Sequence, residues 1–199
     1  MSLFATDPNP DREEEADAAE FWETPVWAAE SILRREILSG VVIDPCCGSG
    51  VLSEAAKRAG YTVQSSDLND WGYAEGEVGV NFLESEGPDV GGDFSYFFNS
   101  PFSLAVLFIR KALENGARKV VSFQRLEWFE TKVRRPVFED LPPNRIYVCG
   151  DRANCWLGSV PLHKRKGGQK RAHAWYIWER GHPPGTLIGH IWKDDVRCL

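Results

Sequence analysis

The stretch VVIDPCCGSGVLSEAAKRAG, residues 41 to 60, constrains the fold more than any other. Three β-branched apolar residues run into Asp44, a turn built on Gly48 and Gly50 follows, and helically spaced apolar positions then run to a stop at Gly60. A strand, a tight turn and a helix in immediate succession open a βα unit. The pattern continues with strands predicted over YTVQSSD (61–67), DFSYFFN (93–99) and ARKVVSFQ (117–124). Between the last two, SLAVLFIRKALENG (103–116) predicts a helix with Leu104, Leu107, Phe108 and Leu113 as its apolar stripe. FWETPVWAAESILRREILSG (21–40) also reads as a helix, with Thr24 as N-cap, Pro25 at the first helical position and Gly40 as the stop. LEWFETKVRRPVFED (126–140) looks helical until Pro136 interrupts it, residues 69–93 read as mostly loop, and RIYVCGD (145–151) and AHAWYIWER (172–180) read as closing strands. Strands alternating with helices predict an α/β fold: a mostly parallel sheet with helices on both faces and a closing antiparallel strand. Ligands in such folds bind at the carboxyl ends of the strands.

The length of 199 residues and the 43% hydrophobic content fit one globular domain over 21–199, after an acidic tail, 1–20, expected to be disordered. No apolar run approaches the roughly 18 residues of a membrane span, and the N-terminus lacks a signal-peptide core, so a cytoplasmic setting is expected. The five cysteines are odd in number, Cys46 and Cys47 are adjacent, and no CxxC occurs, which points to reduced thiols. Cys149, Cys155, His163 and His173 do not match zinc-finger spacing, and no metal is expected.

Net charge is −6, yet the halves differ: residues 1–100 hold 5 basic and 20 acidic residues, and 101–199 hold 18 and 9. The densest basic piece is HKRKGGQKRAH (163–173), with Lys164, Arg165, Lys166, Lys170 and Arg171; Lys132, Arg134 and Arg135 form a second group. Such groups suit phosphate contact, and equally a solvated loop.

The turn after Asp44 is shaped for close approach to a ligand, with glycines removing the Cβ barrier and a helix N-terminus beyond. A dinucleotide fingerprint would need glycine where Ser53 stands, and the GxxxxGK[ST] phosphate loop is absent. An acid before the turn repels pyrophosphate and suits a cation. S-adenosylmethionine carries one in its α-ammonium group, which Asp44 would accept from, while Asp67 at the next strand end would take ribose hydroxyls. A strand, turn and helix with a merely capping acid is the plain alternative. At the end of the aromatic strand, the Asn99 side-chain carbonyl and the Ser100 backbone carbonyl form a pair of acceptors, Pro101 stiffens the turn, and Phe102 offers a flat apolar face. Together they suit a planar heterocycle with an exocyclic amine, a base out of its duplex or already single-stranded.

On DPCCGSG (44–50), NSPF (99–102), FWETP (21–25) and AHAWYIWE (172–179), in that relation, the chain resembles the amino-group DNA methyltransferases, especially short phage-type adenine methyltransferases, over roughly residues 21–180. The resemblance implies a Rossmann-like methyltransferase fold, S-adenosylmethionine as cofactor, and methyl transfer to the adenine amino group in DNA, as in restriction-modification. It implies cofactor contacts from Trp22, Thr24, Asp44, Cys46, Gly48, Gly50 and Asp67, with Asn81 and Phe82 where the family often reads the cofactor's adenine. It makes Asn99, Ser100, Pro101 and Phe102 the catalytic motif, although the family has proline where Ser100 stands. Cys46 and Cys47 lie in the cofactor turn and are read as packing residues rather than nucleophiles. With only 97 residues after Phe102, no sizeable target-recognition domain fits, so low sequence specificity or a homodimer is expected. RNA, cytosine amino groups or protein glutamine as substrates, and a non-catalytic DNA-binding relative, remain alternatives.

Overall fold

The computed structural model describes residues 21–130, 135–158, 162–165, 171–183 and 185–196. Eight strands form one sheet: β2 (Val41–Asp44), β3 (Val63–Asp67), β4 (Glu77–Val78), β5 (Phe94–Phe98), β6 (Lys119–Arg125), β7 (Arg145–Cys149), β9 (His173–Glu179) and β10 (Leu187–Ile191). Their spatial order is β10-β7-β9-β6-β5-β2-β3-β4. Every pairing is parallel except those of β9, which lies antiparallel between β6 and β7. A separate two-stranded ribbon joins β1 (Trp22–Glu23) to β8 (Trp156–Leu157). The expected mostly parallel sheet with an antiparallel closing strand is present.

All five residues of β5 are buried. On one face Phe97 stacks with Trp175 at 5.0 Å, within a layer that includes Ala28 and Ile32 of α1 (Val26–Arg35) and Leu52 of α2 (Val51–Arg58). On the other, Tyr96 and Phe98 pack with Phe108 and Ile109 of α3 (Ala105–Glu114). A strand covered on both faces has no need of polar alternation, which explains its continuous aromatic run. Two buried indoles are tied to backbone carbonyls: Trp175 donates to the Ala28 carbonyl and Trp178 to the Leu141 carbonyl.

Several expectations need correction. Helix α1 starts at Val26, after a two-residue strand, and Pro25 occupies the cap position without a side-chain cap bond. The helix ends at Arg35 rather than running to Gly40, because Glu36 turns away into a buried ion cluster. Helix α3 presents Ala105, Phe108, Ile109 and Ala112 inward, leaving Leu104 and Leu107 partly exposed. Pro136 lies inside a short helix, α4 (Arg135–Asp140), in its first turn, where a missing N–H costs nothing. The edge strand β10 was not expected. The acidic tail lies outside the described residues, as do Lys132, Arg134, Lys166, Lys170 and Cys198.

The buried cluster lies at the amino ends of β6 and β7. Lys119 donates to Glu36 and to the Ile37 carbonyl, both at 2.8 Å. Arg145 grips Glu36 through Nε and Nη2 and reaches Glu179, and the Tyr147 hydroxyl donates to Glu36 at 3.1 Å. Glu36 and Lys119 are each 4% exposed. Burial opposes ionisation of Glu36, but Arg145 and Lys119 outweigh it and hold the carboxyl below its ordinary 4.5. That stabilisation is complete above the ordinary glutamate value and is lost as pH falls through the lowered one. Glu36→Gln leaves two buried cations facing Glu179 alone. It should cost about 3 kcal/mol in urea unfolding at neutral pH, with the difference from wild type shrinking in acid.

Candidate active site

Strands β3, β2 and β5 are neighbours, and the strand order reverses at β2, so Asp44, Asp67 and Asn99 end on one side of the sheet at its switch point. The turn after β2 holds Gly48 at φ +53° and Gly50 at φ +84°, with Gly50 capping α2. A Cβ on Gly48 would stand 2.1 Å from the Phe21 ring, and one on Gly50 would stand 2.3 Å from the Tyr73 ring. Backbone angle and contact both require glycine here.

The two aspartates behave differently. Asp67 braces the turn: Oδ2 accepts from the Gly48 N–H at 2.9 Å, and Oδ1 accepts from the Asn69 N–H and the Trp71 indole. It still lines the cleft, with one carboxylate lone pair left for a ligand hydroxyl. Asp44 is fully buried and accepts from Ser53 at 2.8 Å, while its Oδ1 has no hydrogen-bond partner. Asp44 ties β2 to α2 and is not among the residues that line the two clefts beside the turn. Burial, aided by the nearby Asp67, pushes its carboxyl up to about 7, against the opposing pull of Ser53.

Asn99 is held from above. Its Nδ2 donates to the Trp22 carbonyl at 2.6 Å and to Thr24 Oγ1 at 3.0 Å. A carbonyl can only accept, so the amide nitrogen must face β1 and the side-chain oxygen must point the other way. Trp22 and Thr24 thus orient Asn99 and also line the cleft beside it. Ser100 is buried, and its hydroxyl lies 3.3 Å from the Gln124 amide, which also bonds Ser122. Gln124 is wholly buried and leaves its own Oε1 without a partner. The proline missing at position 100 is thus replaced by a hydrogen bond from the end of β6. Pro101 opens a turn closed by the Leu104 N–H at 3.0 Å. The Phe102 ring carries the Arg125 guanidinium 4.1 Å from its centroid, which leaves one face for any stacked base. Beneath it His173 stacks on Phe123, and burial lowers the imidazole to about 4, so it is neutral at physiological pH.

Two clefts meet at Cys47. One is lined by Gly48, Asp67, Asp70, Trp71, Tyr73 and Glu77; the other, the larger, by Trp22, Glu23, Thr24, Cys46, Ser49 and Asn99. Carboxylates and aromatic rings dominate, and no described lining residue is basic. Such walls suit sugar hydroxyls, a planar base and a cation, and disfavour a polyphosphate. S-adenosylmethionine fits this donor set. Burial and both aspartates push the Cys46 thiol well up and Cys47 to about 12, so neither is a thiolate nucleophile.

Other expected site residues lie elsewhere. Phe82 is in the core against Tyr96 and Phe108, and Asn81 makes a local turn by accepting the Leu83 N–H. Arg165 is paired with Glu23, Arg171 with Glu127, and Arg135 with Glu139; Lys164 is exposed. Among the described residues no cluster of three metal-ligating side chains exists, although Cys155 Sγ and His173 Nε2 lie 3.6 Å apart. Glu23, Trp71 and Gln124 were not singled out from the sequence. The one available signal was polarity out of place, an acid inside FWETP and a lone amide ending VVSFQ.

A raised acid makes the fold less stable as pH rises. The unfolded chain loses the Asp44 proton near 3.8 and the folded chain near 7, so stability falls between them and stays lower above. Urea midpoints should decline from pH 5 to pH 8 in the wild type, and this slope should flatten in Asp44→Asn.

No protein-family model matches the sequence, and no curated protein does. Solved structures do resemble it. A candidate RNA methyltransferase from Pyrococcus horikoshii matches at TM-score 0.52 and 16% identity, over 88% of this chain and 98% of that one. The methyltransferase subunit of a type I restriction-modification system from Streptococcus thermophilus matches at TM-score 0.57 and 12% identity, over 85% of this chain. The present chain spans only 47% of that subunit. An S-adenosylmethionine-dependent O-methyltransferase from Thermotoga maritima matches at 0.50 and 14%, over 87% of this chain and 72% of that one. With the β10-β7-β9-β6-β5-β2-β3-β4 sheet, these likenesses give the chain the Rossmann-like fold of S-adenosylmethionine-dependent methyltransferases.

Proposed function

We propose that the chain transfers a methyl group from S-adenosylmethionine to the exocyclic amino group of adenine in DNA. The observation that carries this reading is the orientation of Asn99: both its amide protons are consumed by β1, so its oxygen is offered to a donor at the cleft. Bound in the joined clefts, S-adenosylmethionine supplies an electrophilic methyl carbon on a sulfonium sulfur. Asn99 Oδ1 and the Ser100 carbonyl accept from the two amine protons and keep the nitrogen lone pair aimed. The nitrogen–carbon bond forms as the carbon–sulfur bond breaks, and the surplus amine proton passes to solvent. Asn99 and Ser100 accelerate the step by position, with no covalent nucleophile. Gln124 holds Ser100 in place, and the free face of Phe102 stacks on the base. Lys164 is the exposed candidate for phosphate contact, and the basic residues outside the described segments, Lys132, Arg134, Lys166 and Lys170, are proposed with it. A homodimer that shares target recognition, and residence in the cytoplasm, complete the proposal.

A second reading, RNA as substrate, is favoured by the P. horikoshii neighbour, which this chain spans almost completely. One assay separates the two. Labelled methyl from S-adenosylmethionine should enter unmethylated DNA as methyladenosine. Asn99→Ala should lower that rate by at least about 100-fold while cofactor binding persists. Label entering only RNA would establish the second reading, and label in neither would overturn both. Gln124→Leu should slow transfer by about tenfold, through the loosened loop, without weakening the cofactor.

A further inference from the structure

If Asp44 is sealed beneath the turn, another group must meet the charged end of the ligand. We infer that Glu23 and Arg165 form a receptor for the amino-acid zwitterion of the cofactor, Glu23 taking the α-ammonium and Arg165 the α-carboxylate. The inference rests on the methyltransferase reading and deepens it.

Glu23 is the carboxylate that lines the larger cleft, between the cofactor turn and Asn99. Its Oε2 accepts from the Ser49 hydroxyl at 2.8 Å, and its Oε1 is paired with the Arg165 guanidinium. Their side chains are 19% and 13% exposed, so the pair is partly desolvated, with Glu23 on the cleft wall and Arg165 in contact with it from outside the lining. Burial disfavours the Glu23 anion, but the Arg165 and Ser49 contacts prevail and hold it ionised. The pair has the charge pattern of the missing ligand reversed: minus beside plus, against the plus beside minus of an α-amino acid. Exchange of the internal pair for two intermolecular ones strands no charge, and each new contact is a charge-assisted hydrogen bond. Ser49 then reports the exchange to the glycine turn, because its hydroxyl is bonded to the carboxylate that moves.

The test compares two probes by calorimetry. S-adenosylhomocysteine carries the zwitterion; 5′-methylthioadenosine keeps the nucleoside and sulfur without it. Wild type should prefer S-adenosylhomocysteine. Glu23→Gln should weaken S-adenosylhomocysteine about tenfold or more and leave 5′-methylthioadenosine within about twofold, which also shows that the variant is folded. Arg165→Gln should act in the same direction, and Glu23→Gln/Arg165→Gln should abolish the preference. An unchanged preference in Glu23→Gln, or equal weakening of both probes, overturns the inference while the cofactor reading stands. Binding of neither probe by the wild type overturns the cofactor reading and the inference with it.

Discussion

Strand β5 has no solvent face, and the rest of the molecule is arranged around that fact. Five consecutive buried residues require a layer on each side, supplied by α1 and α2 on one face and α3 on the other. Of these, α2 connects β2 to β3 and α3 connects β5 to β6, crossovers between strands running the same way, which makes the sheet parallel around β5. Asn99 follows directly on the buried strand, so the same burial that forces the layers delivers the amide to the switch point. Aromatic packing and chemistry share one segment.

The two ends of the sheet treat charge in opposite ways. At the amino ends, Glu36, Glu179, Lys119 and Arg145 neutralise one another within a buried network. At the carboxyl ends Asp44, Asp67 and Glu23 face few cations, and each is managed separately: Asp44 by burial and the Ser53 hydroxyl, Asp67 by three N–H donors, Glu23 by Arg165. The first end is closed and structural. The second keeps acceptors in reserve, as a site for a ligand with positive charge and hydroxyls requires.

The βα unit at 41–60 was legible because its signals are local: β-branched residues, an acid, two glycines and helical spacing follow in order. What escaped is non-local. The end of α1 depends on a carboxylate meeting partners 83 and 109 residues away. The Thr24 hydroxyl is claimed by Asn99, 75 residues on, rather than by the helix it precedes. Nothing in DPCCGSG, from which Asp44 was read as an acceptor for a cation, says that Ser53 folds over it. Strand β10 lacks a pattern because it is an edge, with Leu187 and Ile188 exposed and Gly189 in its middle.

Strand β9 enters between β6 and β7 although it follows both in the chain. It pairs with β6 over seven residues, Lys119 to Arg125. A chain emerging from the ribosome therefore completes β2, β3, β5 and β6 while one long, apolar edge waits for residues 173–179. Until they arrive, that edge is open to any other strand, including one from a neighbouring chain. The strand that closes this edge is thus supplied only after both of its neighbours, a keystone in time as well as in space.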